Sequence, residues 1–414
     1  MDNEKEDPQI EKKAKAIVFV LMFANFFRNL GLSIIEIGLP NFVISLAGSL
    51  TSYGIIIGVY SITQAIFQFP ISAASDKIGR KLLVVLGTIV YIIGTFLCYF
   101  VQNIFQLILF RAIQGAGAYS SILQAMVGDH YRKKHGKGMA FFSFSMTLGF
   151  FGGIIIGGYI SNYLGFRMIF LISTILGIIS LLMIIFFVKE HNNSEKELDI
   201  DENGDFIVER IKKIELRVLL KDKYFIVVVI LNAIRWGLFS GIYVYFIWLL
   251  QIHFNLNQIS TTLLLTLLTI VFICAVISGG YLSDHYGAKR ILLYSQIILV
   301  LMGLFIYFST DLIMFIVAGF FIGIGFGMFQ TAGYAILSKH IDDNHRELKG
   351  SAFGFNNTLG FIFGAFGPII ICSLGELSTF LPYYLVTFVI IITLFITIRY
   401  IKEQKASSPP IKNI

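Results

Sequence analysis

Four charged residues lie inside long apolar stretches of the sequence: Arg28, Glu36, Arg111 and Arg235. A charge in such a stretch is rare and is a functional candidate by default, because hydrocarbon does not solvate it. Guanidinium groups bind carboxylates and phosphates through paired hydrogen bonds, so the arginines indicate recognition of an anionic or dipolar group. Burial favours the neutral form of the glutamate, whereas a nearby arginine favours the carboxylate. We therefore predict that Glu36 exchanges a proton, with Arg111 as its partner.

Each of these four residues also has a purely structural interpretation. Arg28 and Arg235 could bond nearby carbonyl groups or the asparagines three positions earlier, Asn25 and Asn232, as internal struts. Glu36 could extend to the headgroups at the outer membrane surface. The sequence leaves these alternatives open.

The composition fixes the class of protein that must position these charges. Of the 414 residues, 56% are apolar and 14% are charged, whereas soluble domains have about 25% charged residues. A large soluble enzyme is excluded. Cys98, Cys274 and Cys372 all lie in apolar runs, so no disulfide framework is expected.

A helix needs about 20 apolar residues to cross a bilayer, and the sequence offers twelve such runs. A β-barrel would show short alternating segments instead. We predict an all-α membrane protein with twelve transmembrane helices. The predicted spans cover roughly residues 16–38, 53–75, 82–101, 104–128, 138–160, 166–188, 224–250, 259–283, 291–309, 312–337, 351–374 and 379–400.

The basic residues predict the orientation of the chain. With the N-terminus in the cytoplasm, 28 of the 32 lysines and arginines fall in segments on that side. This bias predicts a protein of the cell membrane with both termini on the cytoplasmic side. Because the net charge of +7 comes from segments between apolar runs, no nucleic-acid partner is expected.

The spans form two halves joined by a polar segment. The segment begins with the acidic run EKELDIDENGD and continues into a predicted amphipathic helix, residues 207–218. We predict a cytoplasmic tail (1–15), a first six-helix half (16–188), a cytoplasmic linker (189–223), a second half (224–400) and a cytoplasmic tail (401–414).

The two halves repeat. Asn25-x-x-Arg28 recurs as Asn232-x-x-Arg235, SDKIGRK at 75–81 recurs as SDHYGAK at 283–289, and TLGF at 147–150 recurs at 358–361. The offsets are 207, 208 and 211 residues. Paired six-helix halves commonly enclose a site near the bilayer midplane, so a transporter is predicted.

The run SAASDKIGRKLLVV after the second span resembles the signature loop of the major facilitator superfamily, and GYLSDHYGAKR resembles a second copy. The resemblance covers essentially the whole chain. It implies that spans 1, 4, 7 and 10 line a cavity and that a charge cluster latches one conformation. The alternative is that these residues only shape loops and cap helices. The implied latch residues are Asp76, Gly79, Arg80, Lys81, Asp129, Asp284 and Gly287.

The run LILFRAIQGAGAYSS is similar to the span-4 motif of twelve-span bacterial drug:proton antiporters, in which the arginine, here Arg111, is tied to proton coupling. The span-5 motif of that group departs in one place. Gly149, Gly153, Gly157 and Gly158 are present, but Ile154 occupies the proline position.

The leading hypothesis is proton-coupled export of small amphipathic compounds by alternating access, without enzyme activity, cofactor or metal. Alternatives are an organic-anion or phosphate-ester antiporter or symporter using Arg28 and Arg235, and a lipid flippase or transport-inactive receptor. Expected partners are a small-molecule substrate, protons and lipid, with the chain a monomer. The candidate substrate-binding residues are Asn25, Arg28, Gln64, Asn232, Arg235, Trp236, Tyr243, Gln330, Tyr334 and Asn357.

Overall fold

The structure, a computed structural model, describes residues 8–117, 119–130, 135–188, 218–307, 311–344 and 348–402. Its helices are α1 (Pro8–Ser45), α2 (Leu50–Ile78), α3 (Arg80–Tyr99), α4 (Ile104–Ala116), α5 (Ser120–His130), α6 (His135–Tyr163), α7 (Met168–Phe187), α8 (Lys223–Trp248), α9 (Gln258–Tyr286), α10 (Ala288–Tyr307), α11 (Leu312–Asn344), α12 (Lys349–Leu377) and α13 (Leu381–Tyr400). A π-helical turn, Leu249–His253, continues α8. The amphipathic helix predicted at 207–218 lies almost wholly outside the described residues.

Within the described ranges, eleven helices are long and apolar enough to cross a membrane. In hydrocarbon, every backbone N–H and C=O group needs a partner within the chain, and a helix supplies those partners locally. The all-α, multi-pass fold class predicted from the sequence is confirmed.

The fourth predicted span differs from the expectation of one continuous helix over 104–128. Here α4 ends at Ala116 and α5 begins at Ser120. Gly117 leaves the helical conformation with φ −72° and ψ 45°, and its Cα lies so close to α3 that a Cβ would approach the Tyr91 nitrogen to 2.6 Å. The missing side chain permits this close approach and thereby the break.

The chain divides into two compact units whose limits differ from the predicted halves. The first unit comprises Met1–Glu195 together with Ile247–Thr266, and the second comprises Lys196–Phe246 with Leu267–Ile414. The end of α8, its π-helical turn and the start of α9 therefore belong to the first unit.

In the first unit, α6 meets α1 through Gly149, Gly153 and Gly157. A Cβ on Gly153 would lie only 2.5 Å from the Leu30 carbonyl oxygen. Small residues let helix backbones approach closely, and Ser33 Oγ uses this proximity to donate to the Phe150 carbonyl (2.7 Å). Glycines spaced four residues apart lie on one face of a helix, which suits such an approach.

The two signature loops turn at glycines with positive φ. Gly79 has φ 113° and Gly287 has φ 95°, a backbone conformation that costs little only without a Cβ. Each glycine N–H bonds to a serine carbonyl four residues earlier, at Ser75 and Ser283.

The lysine after each loop acts in the same way in its own unit. Lys81 Nζ donates to the Ile185 carbonyl near the end of α7 (2.8 Å), and Lys289 Nζ donates to the Ile398 carbonyl near the end of α13 (3.3 Å). Helix C-termini carry partial negative charge and unpaired carbonyls. The repeat seen in the sequence thus corresponds to equivalent contacts within each unit.

Gly153→Ala is expected to destabilise the protein by about 1–3 kcal/mol, because the added methyl group must push α6 away from the Leu30 carbonyl. Thermal unfolding of the purified protein in detergent measures the effect. The matched control is Gly354→Ala on α12, where the added Cβ has no atom within 4 Å. Equal unfolding temperatures for the two variants would contradict the close α1–α6 contact.

Candidate substrate and proton sites

Glu36, on α1, lies inside the first unit with an unsatisfied oxygen. Its Oε2 is buried and has no hydrogen-bond partner among the described residues. The charged side chain that acts on this carboxylate is Arg111 of α4, which is 3% exposed. The predicted proton-exchanging acid and a fixed positive charge thus share one buried polar cluster.

The residues of the R-x-x-Q-G motif hold Arg111 in place. Its Nη1 donates to Gln114 Oε1 (2.6 Å), and Gln114 Nε2 donates to Thr95 Oγ1 on α3 (2.8 Å). The guanidinium carbon lies 4.7 Å from the ring centroid of Tyr60 on α2. Gly115 packs against the Tyr60 carbonyl, where a Cβ would clash. The motif therefore places a guanidinium on an aromatic face.

Arg28, on α1, is surrounded by tyrosines rather than by carboxylates. Its side chain is 6% exposed, the side chains of Tyr60, Tyr91 and Tyr119 act on it electrostatically, and its guanidinium carbon lies 5.3 Å from the Tyr119 ring centroid. Tyr91 packs edge-on against Tyr119, with 6.2 Å between centroids. Arg28 Nε lacks a hydrogen-bond partner within the described part of the chain.

Arg235, on α8, occupies the equivalent position in the second unit and is 1% exposed. Its Nη1 donates to Gln330 Oε1 on α11 (3.2 Å), and its guanidinium carbon lies 5.3 Å from the Trp236 ring centroid. Tyr334 interacts with it electrostatically. Its Nε is buried without a partner in the residues described. Trp236 is held against α12 at Gly364, where a Cβ would lie 2.5 Å from the indole Cδ1.

An amide chain runs from Asn232 towards the same tyrosine. Asn232 Nδ2 donates to Asn356 Oδ1 (3.1 Å), and Asn356 Nδ2 contacts Asn357 Oδ1 at 3.4 Å. The Tyr334 hydroxyl donates to the same Asn357 oxygen (3.3 Å). Asn232 Oδ1 is a buried acceptor without a partner among the described residues.

Asn25 bonds to the equivalent helix of the first unit. Its Nδ2 donates to Ser145 Oγ (3.0 Å) and to the Phe142 carbonyl (3.2 Å) on α6. Asn29 Nδ2 donates to Asn25 Oδ1 (3.0 Å). The side chain is thus engaged in packing α1 on α6.

The segment Ile247–Thr266 also bonds close to Glu36. Gln251 Nε2 donates to the carbonyl of Ile37 (2.8 Å), the residue that follows the glutamate, and Gln251 Oε1 accepts from Asn41 Nδ2 (2.9 Å). Trp248 stacks on Tyr53 with 5.4 Å between centroids. These contacts pack the π-helical turn on α1 within the first unit.

A family model described as Major Facilitator Superfamily matches residues 21–368 and, in a second match, residues 242–413. The chain belongs to the major facilitator superfamily. The resemblance inferred from the two signature loops is confirmed.

Two sequence relatives show how far the likeness extends. An uncharacterized transporter of Buchnera aphidicola subsp. Schizaphis graminum is 33% identical over 141 residues, which cover 34% of this chain and 36% of that protein. The match spans about a third of that relative's length. Multidrug resistance protein 2 of Bacillus subtilis is 24% identical over 407 residues, which cover 94% and 96% of the two chains.

Two solved structures share the fold. The nucleoside transporter NupG matches with a TM-score of 0.72 at 13% identity, over 94% of this chain and 100% of that chain. The human organic anion transporter MFSD10 matches with a TM-score of 0.66 at 18% identity, over 93% and 99%. At these identities the likeness establishes the superfamily fold alone.

The latch that the superfamily resemblance implied stays a prediction. The side chains of Asp76 and Asp129 lie outside the described part of the structure. Asp284 is exposed on α9.

Two further candidate residues have local partners. Gln64 Nε2 lies 3.5 Å from Ser120 Oγ, joining α2 to α5. The Tyr243 ring stacks on Phe239 with 6.1 Å between centroids. Their assignment to substrate binding stays a prediction.

Sequence reasoning missed the tyrosines and the threonine around the arginines of the first unit. Tyr60 lies on α2, Tyr91 and Thr95 lie on α3, and Tyr119 directly precedes α5. No spacing rule connects them. A signal existed only for Tyr119, which directly follows the glycine-rich end of the R-x-x-Q-G run.

Asn25→Ala is expected to lower the unfolding free energy by about 1 kcal/mol, the usual magnitude for an interhelical hydrogen bond in a membrane. Binding of sulforhodamine B, an amphipathic dye with a fixed anionic charge, should be unchanged. Thermal unfolding and fluorescence anisotropy in detergent measure the two effects. If Asn25→Ala weakens dye binding and leaves the stability unchanged, Asn25 is a substrate-binding residue and the expectation is wrong.

Proposed function

We propose that the chain is a secondary active transporter that works by alternating access and exports small amphipathic compounds in exchange for protons. The observation that carries this proposal is the buried Oε2 of Glu36, without a hydrogen-bond partner in the described residues, in a cluster with Arg111.

An acid in such a place is suited to proton exchange. Moving a bare carboxylate out of water costs several kcal/mol after relaxation, and a positive charge nearby offsets part of that cost. The charged and neutral forms of Glu36 therefore lie close in free energy. Arg111 is fixed by Gln114, so its favourable effect on the carboxylate persists without reorganisation.

The chemistry of the cargo follows from the buried charges. Arg28, Arg111 and Arg235 oppose one deep acid, and their partners among Gln330, Gln114 and the aromatic rings are neutral. An uncancelled guanidinium beside Trp236 suits an anionic or zwitterionic compound with an aromatic surface. Similarity to Multidrug resistance protein 2 of Bacillus subtilis supports the export of drug-like compounds.

We further propose a monomer in a cell membrane with both termini in the cytoplasm, acting as a transporter and not as an enzyme. The bias of lysine and arginine supports this orientation.

A second candidate is exchange of organic anions or phosphate esters. It is favoured by the Nε atoms of Arg28 and Arg235, which have no hydrogen-bond partner among the described residues. Each guanidinium can therefore donate a pair of hydrogen bonds to a carboxylate or phosphate. Under this hypothesis phosphate exchange needs no proton gradient.

Uptake into proteoliposomes separates the two candidates. Vesicles with an acidic interior should accumulate external sulforhodamine B, because outgoing protons drive the dye inward, and nigericin should abolish the accumulation. Ethidium, a permanent cation, is the comparison probe, and empty liposomes are the control. If dye uptake is independent of the pH gradient and internal phosphate exchanges for external phosphate, proton-coupled export is wrong and anion exchange is the better hypothesis. If the vesicles accumulate ethidium but not sulforhodamine B, the proposal of an anionic cargo is wrong.

Glu36→Gln should abolish pH-driven accumulation of sulforhodamine B while leaving dye counterflow at equal pH intact, because the amide keeps the shape but cannot exchange a proton. Glu376→Gln, which removes an exposed acid at the end of α12, is the matched control. Unchanged proton coupling in Glu36→Gln would remove Glu36 from the mechanism.

A further inference from the structure

Helix α1 contains a proline one helical turn after the candidate proton-exchanging acid. Pro40 lies inside the helix, four residues after Glu36. Because proline has no backbone N–H, the Glu36 carbonyl cannot accept the usual helical hydrogen bond from position 40, and the proline ring crowds that carbonyl. In a membrane, such a break is tolerated where neighbouring side chains or adjacent turns compensate for it. The turn of α1 that follows Glu36 is therefore a weakened one.

Gln251 makes hydrogen bonds on both sides of Pro40. Its Nε2 donates to the Ile37 carbonyl (2.8 Å), and its Oε1 accepts from Asn41 Nδ2 (2.9 Å). Ile37 and Asn41 are four residues apart, so one amide bridges the full helical turn that contains the proline. Gln251 is 4% exposed, which limits competition from water for these bonds. We call this arrangement of Gln251 with the Ile37 carbonyl and Asn41 the Gln251 clamp.

The Gln251 clamp is carried by the π-helical turn that continues α8. Gln251 lies within Leu249–His253, and its Nε2 also donates to Gln258 Oε1 at the start of α9 (3.1 Å). Trp248, just before the turn, stacks on Tyr53 of α2 with 5.4 Å between ring centroids. Turns of π-helix are rare and are found frequently at functional sites. This one presents an amide to the weakened turn of α1.

Glu36 must reach water if it is to exchange a proton. Its Oε2 is buried and has no hydrogen-bond partner in the residues that the structure describes. With the N-terminus in the cytoplasm, as proposed above, Pro40 lies between Glu36 and the outer end of α1. Sharp kinks in helices occur mainly at prolines and a few other identifiable features. Bending at Pro40 is therefore a low-cost movement by which Glu36 can meet the outer water.

Resting on the proposed proton-coupled export, we propose that Gln251 is a positioning residue that closes Glu36 to the outer water by clamping the Pro40 turn of α1. While both bonds to α1 are made, the turn stays closed and the carboxyl group stays buried. When the π-helical turn withdraws Gln251, α1 bends at Pro40. The carboxyl group of Glu36 then gives its proton to an outer water molecule or takes one from it.

Two other charged or titratable side chains lie near the Gln251 clamp. Arg167 Nη1 donates to the Tyr99 carbonyl (3.0 Å), and its guanidinium carbon lies 5.9 Å from the Phe42 ring centroid. Arginine keeps its charge in proteins. His253 is exposed in the π-helical turn, and histidines change charge between pH 5 and 8. His253 is thus the alternative proton carrier that the experiments must separate from Glu36.

The first test measures the access of water to Glu36. A water-soluble carbodiimide with glycine ethyl ester modifies carboxyl groups that water reaches, and peptide mass spectrometry gives the rate at Glu36 in the full-length protein in proteoliposomes. Gln251→Leu removes both bonds to α1 with little change in side-chain volume. It should speed the modification of Glu36 about 10-fold over the natural chain, within the usual range of coupling between two sites.

The matched control is Gln258→Leu, which removes another buried amide of the same network but leaves the bonds to Ile37 and Asn41. It should modify at the rate of the natural chain. If Gln258→Leu and Gln251→Leu speed the modification equally, or neither does, the Gln251 clamp is wrong. Should Gln251→Leu fail to fold, Asn41→Ala removes one of the two bonds and should still speed the modification. An unchanged rate in Asn41→Ala would then overturn the inference.

The second test measures protons that pass without cargo. Vesicles with an acidic interior contain pyranine, no transport dye, and valinomycin with equal potassium on both sides. Gln251→Leu should lose the pH gradient about 10-fold faster than the natural chain, by the same range of coupling, and adding Glu36→Gln should restore the slow rate. A merely structural defect would leak in both variants. A leak that persists in the double variant passes through another group, such as His253, and contradicts the inference.

Failure of this inference is distinct from failure of the proposed function. If the natural chain accumulates sulforhodamine B in acid-loaded vesicles and Gln251→Leu neither exposes Glu36 nor leaks protons, only the role of Gln251 is wrong. If the natural chain shows no pH-driven accumulation, proton-coupled export is wrong. Gln251 would then hold α1 without a role in proton exchange, which also overturns the inference.

Discussion

A guanidinium group cannot lose its proton inside a protein, so an arginine withdrawn from water must be given partners. Arg28, Arg111 and Arg235 are at most 6% exposed. In both units, the packing of the helices brings partners to these side chains. Gly115 brings α4 to the face of Tyr60, while Gly364 gives Trp236 a place beside Arg235. Helix positions that look like packing details are thus conditions for keeping the charges buried.

The hydrogen-bond acceptors and aromatic rings that contact these arginines share one property, which is that they are neutral. Tyrosine and tryptophan rings and glutamine oxygens stabilise a guanidinium without cancelling its charge. A carboxylate in each place would have produced a closed ion pair with little affinity for a ligand. The neutral surroundings keep a positive potential in each unit while still avoiding an unsolvated ion.

The sequence predicted the features that depend on composition and period. Apolar run lengths located the spans, and the repeat of Asn25-x-x-Arg28 predicted equivalent places for Arg28 and Arg235. The two asparagines bond to Ser145 and Asn356, which are themselves 211 residues apart. What sequence could not supply is which side chains meet across helices. Tyr60, Thr95 and Tyr119 are ordinary apolar-run residues until packing brings them to an arginine, and the break at Gly117 depends on how close α3 lies.

The α1–α6 contact has a consequence for the precision of the fold. Gly149, Gly153 and Gly157 recur every four residues, close to the 3.6-residue turn of a helix. A slip of α6 by one turn, about 5.4 Å along its axis, would therefore set glycine opposite nearly the same backbone and lose little van der Waals contact. The hydrogen bond from Asn25 Nδ2 to the Ser145 hydroxyl does not recur at that spacing, because Phe141 and Gly149 lie one turn before and after the serine. A polar contact thus selects one alignment of α6 on α1, which the glycine contact alone does not determine.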